Sequence, residues 1–149
     1  MFAPKNILVP TDFSEYADAA LKKAVDIAQQ YRGKIYLLHV IDEQIRQCAV
    51  DYCIGSEVVE RLETESVKAS NEKLQKEVAA VTDARQLEIV FDVQKGNPAE
   101  VILAEQQAKG IDLIVIASHG KTGLIKHLIG SVADKVVKGA KCPVIVIKP

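Results

Sequence analysis

An open parallel α/β sheet with helices on both faces is the fold class this sequence predicts, and three observations predict it. Short, largely apolar runs at residues 7–9, 35–40, 111–116 and 144–147 read as strands covered on both sides. Between them lie stretches with apolar residues every three or four positions, the period of an amphipathic helix. Glycine, proline and capping residues mark nearly every changeover. Such alternation, about five strands and as many helices, requires right-handed crossovers and therefore parallel strands.

Ile7, Leu8 and Val9 make the first strand. Pro10 cannot donate to a ladder, so the strand stops there and presents Thr11 and Asp12, a hydroxyl and a carboxylate, at its carboxyl end. Ser14 suits the N-cap of a helix to about Tyr31, with Ala17, Ala20, Leu21, Ala24, Ile27, Ala28 and Tyr31 on one stripe and Gly33 as its stop. The second strand, residues 35–40, contains His39, and a lone histidine inside a strand is read as a satisfied structural residue without chemistry. Residues 41–55 have weak periodicity and are read as irregular.

A long helix is expected over residues 56–80, with Val59, Leu62, Ser66, Ser70, Leu74, Val78 and Val81 turned inward. Its other side alternates in charge and is read as solvated, with Lys73, Lys76 and Glu77 among its members. In residues 87–93 apolar Leu87, Ile89, Phe91 and Val93 alternate with Glu88, Val90 and Asp92, as in a strand at or near a sheet edge. Gly96 releases the chain, Asn97 caps, Pro98 takes the first helical position and Glu100 completes a capping box for a helix to Ala108, closed by Gly110. Ser131 with Asp134 gives a second capping-box pattern for a helix to Lys138, ended by Gly139. Pro143 opens the terminal strand, Val144–Ile147. That short apolar strand needs cover or pairing, and a second copy of itself is the economical partner.

Composition narrows the classes of function. At 149 residues, 48% hydrophobic and 26% charged, the chain suits one domain over residues 1–149 that needs no staples. A formal net charge of −1 gives no polybasic field for nucleic acid or an anionic membrane. No apolar run approaches the ~20 residues of a spanning helix and no signal pattern is present, so a cytoplasmic protein is expected. The three cysteines lack C-x-x-C spacing; Cys142 precedes an apolar strand, and Cys48 and Cys53 read as incidental thiols.

Chemistry concentrates in residues 111–138, where a strand meets a loop of small residues, Ala117-Ser118-His119-Gly120, and Gly130-Ser131 stands at a helix start. Amides at a helix N-terminus lack intrahelical partners and carry the positive end of the dipole, so an anion is held there if no bulky side chain intervenes. Gly120-Lys121-Thr122 imitates the end of a P-loop, but Val115 stands where that motif needs its first glycine. Glycines 120, 123 and 130 also miss G-x-G-x-x-G spacing.

Ser118-His119-Gly120, nine residues, then Gly130-Ser131 resembles the ATP-binding signature of the universal stress proteins, G-x-x-G-x9-G-[ST]. The opening from Lys5 to Asp12, the Gly96-Asn97-Pro98 junction and the close from Cys142 to Ile147 also fit that family. The motif's first glycine is Ala117 here, and its methyl group narrows the backbone's options beside a phosphate or ribose.

The resemblance implies a five-stranded sheet of order 3-2-1-4-5, of the adenine nucleotide alpha hydrolase-like kind, with the ligand at the switch point between the first and fourth strands. Pro10, Thr11 and Asp12 would then face Ala117, Ser118, His119 and Gly120 across one crevice. Phosphates would lie on the amides and hydroxyls of Ser118, His119, Gly120, Gly130, Ser131 and Val132. Val40 would lend backbone groups to the adenine, and Asp12 would meet the ribose or a divalent cation, Mg²⁺ or Mn²⁺. Lys121, Lys126 and His127 are the few positive side chains nearby, so a cation would offset phosphate charge.

The resemblance thus implies an ATP-binding regulatory protein, homodimeric through Val144–Ile147, whose partners are an adenine nucleotide and proteins of unknown identity. No catalytic residue is assigned: His119 is read as a donor to a phosphate or as held by its loop, and at most weak hydrolysis is expected. A nucleotide-free interaction module is the alternative, favoured by Ala117. A nucleotidyl transferase or ATP pyrophosphatase is disfavoured, because Pro10 to Ser14 carries neither S-G-G-x-D-S nor H-x-G-H.

Overall fold

The computed structural model describes residues 1–121 and 129–148. In chain order these form β1 (Asn6–Pro10), α1 (Glu15–Tyr31), β2 (Lys34–Ile41), α2 (Gln44–Asp51), α3 (Ser56–Ala79), a 3-10 turn (Thr82–Gln86), β3 (Ile89–Lys95), α4 (Pro98–Ala108), β4 (Leu113–Ala117), α5 (Ser131–Gly139) and β5 (Val144–Ile147). The strands pair in parallel in the order β3-β2-β1-β4-β5, as the resemblance implied.

β1 is central because it is apolar on both faces. Ile7 and Val9 turn toward α1 and α3 with Ile35, Leu37, Leu113 and Val115, while Leu8 turns the other way with Leu38, Ile114 and Ile116 beneath α4 and α5. Each large aliphatic side chain withdrawn from water in these layers contributes about 1.5–3 kcal/mol.

Local signals account for most helix ends. The Ser14 side chain accepts the Ala17 N–H at 3.3 Å, and Asn97 accepts the Glu100 N–H at 3.3 Å ahead of Pro98. Three details differ from expectation. The left-handed cap of α1 is Arg32, at φ 53°, with Gly33 following it. Residues 41–55 hold α2, an eight-residue helix with no side-chain cap, hence no boundary signal in the sequence. At α5 the cap is Gly130, whose carbonyl receives the Asp134 N–H at 2.9 Å, so Ser131 is already helical and the capping box is not made.

α3 has 24 residues and spans about 36 Å, well beyond the roughly 23 Å of the neighbouring β3. Its second half buries Ser70 and Leu74; in the first half Val58 and Leu62 stay exposed. β3 is an edge strand, as its alternation predicted, and β5 occupies the opposite edge. β1 continues to β2 on one side, whereas β4 lies on the other, so the winding reverses between β1 and β4. Their carboxyl ends open there into a crevice.

Candidate functional site

The crevice is a cavity of about 300 Å³, within the size range of small-molecule sites. Pro10, Thr11 and Asp12 line it from β1, Val40 from β2, Ala117, Ser118, His119, Gly120 and Lys121 from the end of β4, and Gly130, Ser131 and Val132 from the start of α5. Every expected ligand-contacting residue among those described therefore meets in one place. Pro98 and Ile102 of α4 add an apolar wall that sequence reasoning overlooked, although Pro98 had been read as a helix start. Lys126 and His127, expected near the phosphates, lie outside the described residues.

The carboxylate of Asp12 spans the crevice. Oδ1 accepts the Ser14 N–H at 3.0 Å, and Oδ2 accepts the Lys121 N–H at 2.9 Å, which ties the β1 end to the β4 loop. A Cβ on residue 120 would fall 2.5 Å from Oδ2, so this approach requires Gly120. Each carboxylate oxygen keeps a lone pair for a ribose hydroxyl or a cation.

Thr11 departs from its expected role. Its hydroxyl donates to both Glu77 carboxylate oxygens, at 2.8 and 3.1 Å, and accepts the Phe13 N–H at 3.0 Å, so it is not offered to the crevice. Its N–H donates to the Leu38 carbonyl and its carbonyl meets His39 Nδ1, both at 2.8 Å. An acceptor carbonyl requires the proton on Nδ1, which makes His39 the satisfied structural residue that was expected. Burial holds His39 below the usual imidazole range, partly offset by that bond. Burial also pushes Glu77 up to about 7, with the Thr11 bond opposing and the Asp18 and Asp12 carboxylates adding to the rise.

Two expected amides are likewise committed. The Ser118 N–H donates to the Ile147 carbonyl at 2.8 Å, completing the β4–β5 ladder, and the Gly130 N–H donates to the Ser118 carbonyl at 2.6 Å. The second bond fixes where α5 begins. A Cβ on residue 130 would lie 3.1 Å from that same carbonyl, so glycine permits the approach. The amides of Ser131, Val132 and Ala133 occupy the first turn of α5, have no acceptor among the described residues, and belong to residues lining the cavity. Ser118 is buried, and its Oγ lies 2.7 Å from His119 Nδ1; the His119 ring stands 6.1 Å from that of Tyr16.

Ala117 lines the cavity and is also a core residue. It belongs to the core layer beneath α1, with Val9 and Val115, and is 9% exposed. At Val40 the strand geometry supplies polar groups. The Leu38 carbonyl bonds toward β1 and the Ile41 carbonyl toward the Gly96 N–H beyond β3, so alternation turns the Val40 N–H and carbonyl to the β1 side, past the last β1 residue.

No cluster of three or more metal-binding side chains occurs among the described residues. Asp12 is a single carboxylate, the protein share typical of a Mg²⁺ ion that takes its other ligands from phosphate and water. No described helix is long and apolar enough to cross a membrane.

The profile of the universal stress protein family matches residues 4–148. The chain belongs to this family. Universal stress protein MJ0531 of Methanocaldococcus jannaschii is 34% identical, over 97% of this chain and 82% of its own length. MJ0577 of the same organism is 35% identical over 97% of this chain and 94% of its own. The solved structure of MJ0577 superposes with a TM-score of 0.84 over 99% of this chain and 98% of that one, at 32% identity. The Archaeoglobus fulgidus family member solved in complex with dAMP shares the fold, with a TM-score of 0.69, 23% identity and coverage of 99% and 100%. The sheet order is thus that of the family's adenine nucleotide alpha hydrolase-like fold.

Proposed function

We propose that this universal stress protein binds ATP, with Mg²⁺ or Mn²⁺, in the crevice between β1 and β4, and that occupancy rather than turnover is its output. The observation that carries the reading is convergence: the β1 carboxylate, the glycine loop after β4 and the first-turn amides of α5, which have no acceptor among the described residues, all border one cavity of small-molecule size. The phosphates lie on the amides of Ser131 and Val132, with Ala133 joining them, and on the Ser131 hydroxyl; Gly120 and Gly130 give access. The adenine edge meets the Val40 backbone groups against Pro98 and Ile102, and Asp12 meets the ribose or the cation. The cation supplies charge neutralisation that backbone dipoles only partly provide. In the relative from Archaeoglobus fulgidus the bound molecule is dAMP, an adenine nucleotide carried by the same fold.

The biological unit in this reading is a dimer. The Pro143 and Ile147 carbonyls bond to β4, so alternation points the backbone groups of Val144 and Val146 to the outer edge of β5, ready for a second copy. Freshly purified protein, heated to release its ligand, should yield intact ATP by mass, and calorimetry should show binding that strengthens with Mg²⁺. Turnover should be slower than the ~1 s⁻¹ of ordinary enzymes. Protein with neither nucleotide nor binding heat would be an interaction module instead, and AMP with pyrophosphate would mark an enzyme.

A further inference from the structure

Glu77 lies outside the crevice, yet both its oxygens bond to a residue that lines it. Thr11 Oγ1 lies 2.8 and 3.1 Å from the Glu77 carboxylate and also accepts the Phe13 N–H at 3.0 Å. A hydroxyl has one proton. Because that proton goes to Glu77, the oxygen lone pairs are left facing the Phe13 amide.

The turn so held is not one the chain adopts freely. Phe13 sits at φ 64°, in the left-handed region that side-chain-bearing residues rarely enter. Its ring lies 4.4 Å from that of His39, centroid to centroid, with the Lys73 ammonium 5.4 Å above it, and His39 in turn holds the Thr11 carbonyl. Asp12 is the residue between these two anchors, and its carboxylate reaches Lys121 across the crevice.

We propose that Glu77 is a positioning residue for the crevice: by accepting the Thr11 hydroxyl it fixes the turn at residues 11–13 and thereby aims Asp12 at the glycine loop. The inference rests on the nucleotide reading for its effect on affinity and on the hydrogen-bond geometry for the rest. α3 thus acts on the site through a hydroxyl that never touches the ligand. Reciprocity follows, since whatever α3 adds to ligand affinity the ligand returns to the anchoring of α3.

The test compares Glu77→Gln, which still accepts a hydrogen bond, with Glu77→Leu, which does not, and Thr11→Ser with Thr11→Val on the same logic. In calorimetry at about pH 8 with ATP and Mg²⁺, the Leu and Val variants should bind about tenfold more weakly, the scale of one hydrogen bond to a charged group. The Gln and Ser variants should stay within about twofold, near the few tenths of a kcal/mol by which additive effects scatter. The double variant Thr11→Val/Glu77→Leu should be no weaker than either single one. In ¹⁵N–¹H spectra without ligand, the Ser14 and Lys121 amides that bond to Asp12 should move in the Leu and Val variants and stay in place in the Gln and Ser variants. Wild-type-like binding by Glu77→Leu, equal loss in Glu77→Gln, or a multiplicative loss in the double variant overturns the proposal. If wild-type protein binds no adenine nucleotide, the proposed function fails, and this inference is judged on the two amides alone. Should Glu77→Leu fail to fold, the isosteric Thr11→Val decides it.

Discussion

At Gly130 one added side chain is enough to test the ligand reading. A Cβ there meets the Ser118 carbonyl at 3.1 Å and His119 Cα at 3.7 Å, so a larger residue must push the β4 loop or fill the crevice. Gly130→Leu is expected to weaken ATP binding about a hundredfold, the worth of two charge-assisted hydrogen bonds at about 1.4 kcal/mol each, with the circular dichroism spectrum retained. Calorimetry checks this, and unchanged affinity would mean that the phosphates lie elsewhere. The sequence carried the loop's identity because small residues at a strand end and a helix start have few other uses. It did not carry the destinations of individual protons. Whether Thr11 offers its hydroxyl to the crevice or to Glu77, and whether the Gly130 amide is free or spent on Ser118, depends on atoms that meet only after folding. The packing of Ala117 into the core layer is of the same kind, although its two-residue step from Val115 was a signal that it shares the core face of β4.

α1 and α3 meet the β1 end through charged groups, and this joint should be sensitive to pH. Glu77 rises from the ordinary carboxylate value of 4.5 to about 7, chiefly through burial, with Asp18 of α1 and Asp12 of the β1 end adding repulsion. Between those values the folded chain keeps a proton that the unfolded chain gives up. Stability from this group is therefore fully present below about 4.5 and is lost as pH rises through about 7. The melting temperature should fall from pH 5 to pH 8 in the wild type and less steeply in Glu77→Gln, which should be the more stable of the two at pH 8. Parallel slopes would remove Glu77 from the explanation. Glu77 was misread as part of a solvated face, although Ser70, Leu74, Glu77 and Val81 follow steps of four, three and four, the spacing of an inward stripe. α2 was illegible for a different reason, having neither a cap nor a start signal. The strands, by contrast, were nearly all visible, because burial on both faces leaves a largely apolar run.

For the whole molecule, membership of the family and the sheet order are settled by the matched residues 4–148 and the observed pairing, while assembly and occupancy are open to measurement. Val146 directs its N–H away from β4, so Val146→Pro removes a donor from the free edge of β5 and leaves the internal ladder intact. Sedimentation at micromolar concentration is expected to show a dimer for the wild type and a monomer for Val146→Pro; a dimer in both would place the interface elsewhere. The most direct test of the nucleotide site follows the ¹⁵N–¹H amide resonances of Ser131, Val132 and Ala133 during titration with ATP and Mg²⁺. Saturable downfield shifts at these three, accompanied by changes at Val40 and Gly120, are the predicted result, whereas an unmoved first turn of α5 with shifts confined to other surfaces would contradict it.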